Sequence, residues 1–190
     1  MSRVGWIILG VIAVVLGAFL STCSLGTAPG LRIGRAVPAL ASRDGPLTVP
    51  VSGVSRSDLR DSWGDAREGG ARGHHGIDLI APGGTPVVAA GAGTVEKLFQ
   101  SRLGGTTLYV RSGDRRWIHY YAHLAGYASG IVEGQQVKAG EVIGFVGDTG
   151  DAGPGNHHLH FGVQRMRPGE RWWQGEDVNP YPLLAGSAAR

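Results

Sequence analysis

Three of the seven histidines fall within four positions, in the stretch Asn156-His157-His158-Leu159-His160-Phe161-Gly162-Val163. Phe161, Val163 and Gln164 mark a strand, and in a strand residues i and i+2 share a face. His158 and His160 are therefore predicted to project together, with Leu159 and Phe161 directed into a core. Two imidazoles side by side on a stiff element suit a metal, or a metal ligand beside a proton shuttle. They also suit a plain pair of polar residues facing water, so the pair alone does not decide.

Two further clusters bear on the choice. In His74-His75-Gly76-Ile77-Asp78, His74 and Asp78 are four apart, but Gly76 and Ala81-Pro82-Gly83-Gly84 argue against a helix. His74 is placed in a loop and Asp78 at the start of a strand. A carboxylate in the apolar run Ile77-Asp78-Leu79-Ile80 is costly to bury unless paired or metal-bound, the bland alternative being a turn cap. In Tyr121-Ala122-His123-Leu124, His123 closes an aromatic-rich strand, where a half-buried, satisfied histidine is the bland alternative. Alternation gives His119 the same face as Tyr121 and His123, as a possible supporting group.

Taken together, two neutral imidazoles and one carboxylate, with a fourth position for water, form a common catalytic zinc shell. No His-Glu-x-x-His is present, so the ligands must come from loops and strands. Zinc lowers the pKa of its water from 15.7 to about 7, and a histidine titrates in the range needed to move the proton. His123 and one of the strand pair are left for that task.

The elements that must position these groups read as β. The segments around residues 85–90, 93–99, 106–111, 117–122 and 141–146 are short, rich in Val, Ile, Thr and aromatics, and separated by Gly-containing turns. No helix alternates with them, so the expectation is a mainly β domain: an antiparallel sheet or sandwich with few short helices. The composition agrees, with 33 glycines and only 17% charged residues in 190. A net charge of +3, spread without a basic run, gives no nucleic-acid footprint. The single cysteine, Cys23, excludes an internal disulfide.

Residues 4–20 are apolar throughout after Arg3. They read first as an uncleaved signal anchor and second as a lipoprotein signal, because Leu20-Ser21-Thr22-Cys23 resembles a lipobox. A buried core helix ranks third. Pro29, Pro38, Pro46 and Pro50 mark the following stretch as a tether. The expected organisation is residues 1–23 as membrane anchor or lipoprotein signal, 24–50 as linker, 51–185 as the globular domain and 186–190 as a tail.

Over roughly residues 61–184 the chain resembles the lysostaphin/LytM-type (duplicated hybrid motif) zinc metallopeptidases, which cut peptides in bacterial cell walls. The resemblance is carried by His74-x-Gly76-x-Asp78, Tyr121-Ala122-His123-Leu124 and His158-Leu159-His160-Phe161. Val137-Lys138-Ala139-Gly140-Glu141-Val142-Ile143-Gly144 with Gly147-Asp148-Thr149-Gly150 adds to it. It implies a barrel-sandwich hybrid-like core, with Zn2+ held by His74, Asp78 and His160. It implies that His123 and His158 activate water and stabilise the oxyanion, while His75 and His157 have no role. Gly162 stands where the family often has a glutamate that is not a ligand. The implied activity is a peptidoglycan endopeptidase of the cell envelope, held at the membrane by its N-terminal segment. All five site residues are present, which argues against a catalytically inactive wall-binding or amidase-activating module on the same fold. A lipoyl- or biotinyl-type carrier domain would need a lysine at a hairpin tip, and neither Lys97 nor Lys138 has a fitting sequence. Neither the cleaved bond nor the oligomeric state is indicated.

Overall fold

The computed structural model describes residues 47–186. The apolar segment at residues 4–20, the lipobox-like run, most of the linker and most of the tail lie outside the described residues. Among the described residues, no helix is long and apolar enough to cross a membrane.

The strands are β1 (Ala66–Arg67), β2 (Arg72–Gly73), β3 (Ile77–Ile80), β4 (Pro86–Val88), β5 (Gly93–Ser101) and β6 (Gly105–Ser112). They continue as β7 (Trp117–Tyr127), β8 (Gln136–Val137), β9 (Val142–Val146), β10 (His158–Arg165) and β11 (Glu176–Val178). One short helix follows, α1 (Tyr181–Ala185), opened by Pro182 in its first turn and ended by Gly186 at a φ of 76°. The expectation of a mainly antiparallel β fold with few short helices is met.

Nine strands hydrogen-bond into one sheet in the order β11-β10-β7-β6-β5-β8, with β3 on β10, β9 on β7 and β4 on β9; β1 and β2 form a separate hairpin. The ladders are antiparallel, as expected of strands joined by tight turns. β10 organises the site. The first half of β10 pairs with β3, its second half with β11, and its other edge with β7. β7 branches in the same way, since Leu124 and the residues after it pair with β9.

The core lies on one face of these strands. Leu159 and Phe161 of β10, Ile77 and Leu79 of β3, Leu108 and Val110 of β6 and Tyr121 of β7 are buried together. Tyr121 places its ring 5.3 Å from that of Phe161 and its hydroxyl accepts from the Ala90 amide at 2.8 Å. Truncating a buried aromatic such as Phe161 costs about 3–5 kcal/mol. That packing fixes the strand faces, because a one-residue slip of β10 would send its histidines into the core.

Candidate metal centre and active site

Register brings the first two clusters together. On β10, His160 lies opposite Asp78 of β3 on one side and Ala122 of β7 on the other. Leu159 and Phe161 point into the core, so His158 and His160 point away from it, as alternation predicts. His74 arrives from the loop between β2 and β3, whose hairpin anchors it: the His74 amide donates to the Asp65 carbonyl at 2.9 Å.

Three donor atoms converge. His74 Nε2 lies 2.8 Å from His160 Nδ1, and Asp78 Oδ1 lies 3.1 Å and 3.3 Å from those two nitrogens. His74 is buried, and its Nδ1–H donates to the Ser62 carbonyl at 2.7 Å, so Nε2 presents a lone pair to the cluster. The hydroxyl of Ser62 accepts from the Asp78 amide at 3.2 Å, so one serine steadies both residues. Two imidazole nitrogens and a carboxylate oxygen facing each other at such range are placed to share a positive charge between them. Ligand atoms about 2.0–2.1 Å from a tetrahedral ion sit about 3.3 Å apart, close to the separations seen here. Among the described residues, His74, Asp78 and His160 form a group able to hold a metal ion.

Gly76 makes the approach of His160 possible. A Cβ at Gly76 would meet the Phe161 carbonyl oxygen at 2.6 Å and the His160 ring at 2.7 Å. The second oxygen of Asp78 accepts a short hydrogen bond from Arg67 Nη2. Burial alone would raise the Asp78 carboxyl, but its close contacts with the His160 and His74 rings and the hydrogen bond from Arg67 outweigh it and hold the group well below the usual carboxylate range. Burial lowers His160 below the ordinary histidine value, against the pull of Asp78.

His123 and His158 stand beside this cluster with ring centroids 4.8 Å apart. Each donates its Nδ1–H to a carbonyl at 2.8 Å, His123 to Thr149 and His158 to Asn156. Their Nε2 atoms are thereby left to act as bases. His158 Nε2 lies 3.9 Å from Asp78 Oδ1, and His123 Nε2 lies 3.9 Å from Asp151 Oδ1. Burial lowers the pKa of His123, partly offset by the Thr149 carbonyl and reinforced by His158 and His160.

His123 reaches this place by a route that alternation does not predict. Across β6 and β7 the register jumps, so that Ala122 and His123 together occupy the span opposite Thr107. His123 itself takes a φ of 59°. Such a bulge turns one side chain to the other face. Thr149 stitches it, with its hydroxyl donating to the Leu124 carbonyl and accepting from the Thr106 amide, both at 2.9 Å. The expectation that His119 shares a face with His123 is therefore corrected. His119 lies on the core face, 6.3 Å from the Phe161 ring, and takes no part in the site.

The cluster opens into a cleft of about 720 Å³ lined also by Arg72, Arg102, Leu103, Tyr109, Tyr120 and Asp151. His75, without an expected role, bonds Asp177 at 2.8 Å and stacks on Trp63; His157 lies 3.8 Å from Asp148. Spacing gave no sign of Arg67, Tyr120 or Ser62. Thr149 lies in Gly147-Asp148-Thr149-Gly150 and Asn156 opens the histidine-rich stretch, and the two supply the carbonyls that orient the free histidines.

The chain belongs to peptidase family M23, whose model matches residues 72–180. It is 40% identical over 131 residues to an L-Ala–D-Glu endopeptidase of Bacillus subtilis, covering 66% of this chain and 39% of that protein. It is 39% identical over 94 residues to a peptidoglycan DD-endopeptidase of Vibrio cholerae, covering 49% of this chain and 20% of that protein. The chain thus spans well under half the length of these two relatives. Its fold is similar to the catalytic domain of the antimicrobial peptidase lysostaphin from Staphylococcus simulans, with a TM-score of 0.55 and 28% identity over 68% of this chain and 94% of that one.

Proposed function

We propose that the chain is a zinc-dependent metalloendopeptidase that hydrolyses peptide bonds in bacterial peptidoglycan. The observation that carries the reading is the convergence of five side chains from three distant segments on one cleft wall, each free histidine with its Nδ1 proton already engaged. An inactive wall-binding or amidase-activating module would leave that arrangement without a task. The named activities of the relatives support the substrate class, and they differ in the bond they name.

His74 Nε2, Asp78 Oδ1 and His160 Nδ1 would hold the ion. A zinc ion so bound supplies Lewis acidity and makes water a nucleophile at neutral pH. The chain's own residues do the rest. The Nε2 of one free histidine takes the proton of the attacking water and passes it to the leaving amine as the C–N bond breaks, while the other, in its imidazolium form, donates from Nε2–H to the oxyanion that develops on the scissile carbonyl. Their engaged Nδ1 atoms fix tautomer and ring orientation, so neither ring must reorganise during the reaction. Asp151 near His123 favours its charged form once it has taken a proton.

We further propose that residues 51–185 form the catalytic domain, that residues 1–23 hold it at the membrane of the cell envelope, and that residues 24–50 give it reach to the wall. The apolar run at residues 4–20 and the prolines after it support this. Labelled palmitate on Cys23 would favour the lipoprotein form over a plain anchor, and a cytoplasmic product would refute both. Digestion of chemically defined wall peptides, with mass spectrometry of the products, tests the activity and names the bond. Intact substrates after incubation with the zinc-loaded chain would overturn it.

A further inference from the structure

A continuous series of aromatic rings leads out of the cleft. The His160 ring meets Tyr120 at 5.8 Å between centroids, Tyr120 meets Tyr109 at 4.7 Å, and Tyr109 meets Trp172 at 4.6 Å. Trp172 in turn touches Phe99 at 5.3 Å and Trp173 at 5.1 Å. The far end lies in the open, with Phe99 40% and Trp173 51% exposed, and Leu103 at the cleft rim 40% exposed. Large apolar side chains clustered at a surface beside a cleft mark an interaction site.

The rings are held in place. Arg111, almost fully buried, grips Glu96 with two hydrogen bonds of 2.9 Å and 3.1 Å. The same guanidinium donates to the Glu170 carbonyl at 3.2 Å, two residues before Trp172, and so ties the tryptophan-bearing arm to the sheet. The Arg171 guanidinium lies 5.3 Å from the centroid of the Trp173 ring and braces it.

We propose that this aromatic platform binds the saccharide strand to which the substrate peptide is attached; the inference rests on the peptidoglycan reading above. In that polymer each wall peptide is joined covalently to a saccharide. A cleft that accepts the peptide therefore has the saccharide within reach of a few extended residues, each covering about 3.3–3.6 Å. The platform begins at the cleft wall, and its exposed end lies four ring contacts from His160, at most about 20 Å away, the span of about six extended residues. Pyranose rings present C–H groups on their faces, which rest against the negative face of an aromatic ring. Their hydroxyl and amide rims need polar neighbours, and Arg171 over Trp173 and the exposed Arg102 at the cleft rim supply them.

The test is titration of the zinc-loaded full chain with peptide-free glycan strands, followed by tryptophan fluorescence and calorimetry. Saturable binding is expected, weakened about tenfold in Trp173→Ala and in Phe99→Ala. The same variants should lose about tenfold in kcat/KM, through KM, on a saccharide-bearing peptide dimer, yet keep wild-type rates on that dimer freed of its saccharide. No binding of glycan strands, equal binding by wild type and variants, or equal loss on both dimers overturns the proposal. So does self-association that Trp173→Ala abolishes, which would assign the surface to a second copy. Because glycan binding is read without hydrolysis, failure of the peptidase reading shows separately, as intact saccharide-free dimer with the wild-type chain.

Discussion

His119 and His123 lie four residues apart on β7, and both are almost fully buried, at 4% and 7% exposure. His119 follows strand alternation into the core beside Phe161. Its Nδ1 has no hydrogen-bond partner among the described residues, and burial pushes its pKa down to about 4, only slightly offset by Asp114. His123 leaves the core face at a bulge, has its Nδ1 engaged by Thr149, and turns Nε2 to the cleft. Two buried histidines on one strand thus differ in whether the backbone departs from its regular path. An unusual backbone conformation at a titratable residue is a stronger functional sign than burial.

The contrast breaks most sharply on metal. His74→Ala, Asp78→Ala or His160→Ala should abolish activity and release the ion, because two remaining protein ligands make a weak site. His119→Phe should keep both metal and activity. Metal analysis of the purified variants decides the matter, and stoichiometric zinc in His160→Ala would sink the ligand assignment. Next in size, His123→Ala and His158→Ala should keep the metal but lose about 10²–10⁴-fold in rate. Should His158→Ala lose metal as fully as His160→Ala, His158 is a ligand and the division of labour fails.

A smaller effect is expected at Gly76, which touches no substrate. Gly76→Ala forces a methyl group against His160 and the Phe161 carbonyl. Metal affinity should fall about 10–100-fold, the range for groups that orient ligands. An unchanged affinity in a chelator competition would show that His160 has room to move.

Much of this was legible because it rests on local rules. The faces of His158 and His160 follow from period-two alternation, and the loop placement of His74 from the glycines and proline around it. The bulge was not legible. Nothing in Tyr121-Ala122-His123-Leu124 marks a positive φ, since the usual signal is glycine or asparagine and a histidine stands there instead. Arg67 has no signal in the sequence for another reason. Its contact with Asp78 depends on how the β1–β2 hairpin folds back over β3, a tertiary fact with no periodic signature. The Tyr109–Trp172 contact is equally non-local.

The core histidine should show itself in acid. With a folded pKa of about 4 and an unfolded value near 6.5, His119 binds a proton more readily in the unfolded chain. It is neutral in both states above about pH 6.5 and has no effect there. Below that, each pH unit down to about 4 favours unfolding by about 1.4 kcal/mol, or about 3 kcal/mol in all. Denaturant melts of wild type and His119→Phe should therefore diverge as pH falls from about 6.5 to about 4, the variant losing less. Parallel curves would mean that His119 is solvated or paired after all.

The smallest effect concerns the backbone at position 123, where the comparison turns. A φ of 59° costs an L-residue with a Cβ about 1–2 kcal/mol, and glycine avoids that cost. Glycine also loses about 0.5–1 kcal/mol of extra chain entropy on folding. His123→Gly should therefore be more stable than His123→Ala by roughly 0.5–1 kcal/mol, with both variants equally inactive. At His119, in regular strand packed on Phe161, the order should reverse: His119→Gly should be less stable than His119→Ala, because only the entropy term operates. Unfolding free energies of the four variants give the two differences directly. Opposite signs at the two positions would establish that the chain tolerates strain at His123 for the sake of where its imidazole points. The same sign at both would remove the bulge from the explanation and leave the position of His123 to its hydrogen bond with Thr149 alone.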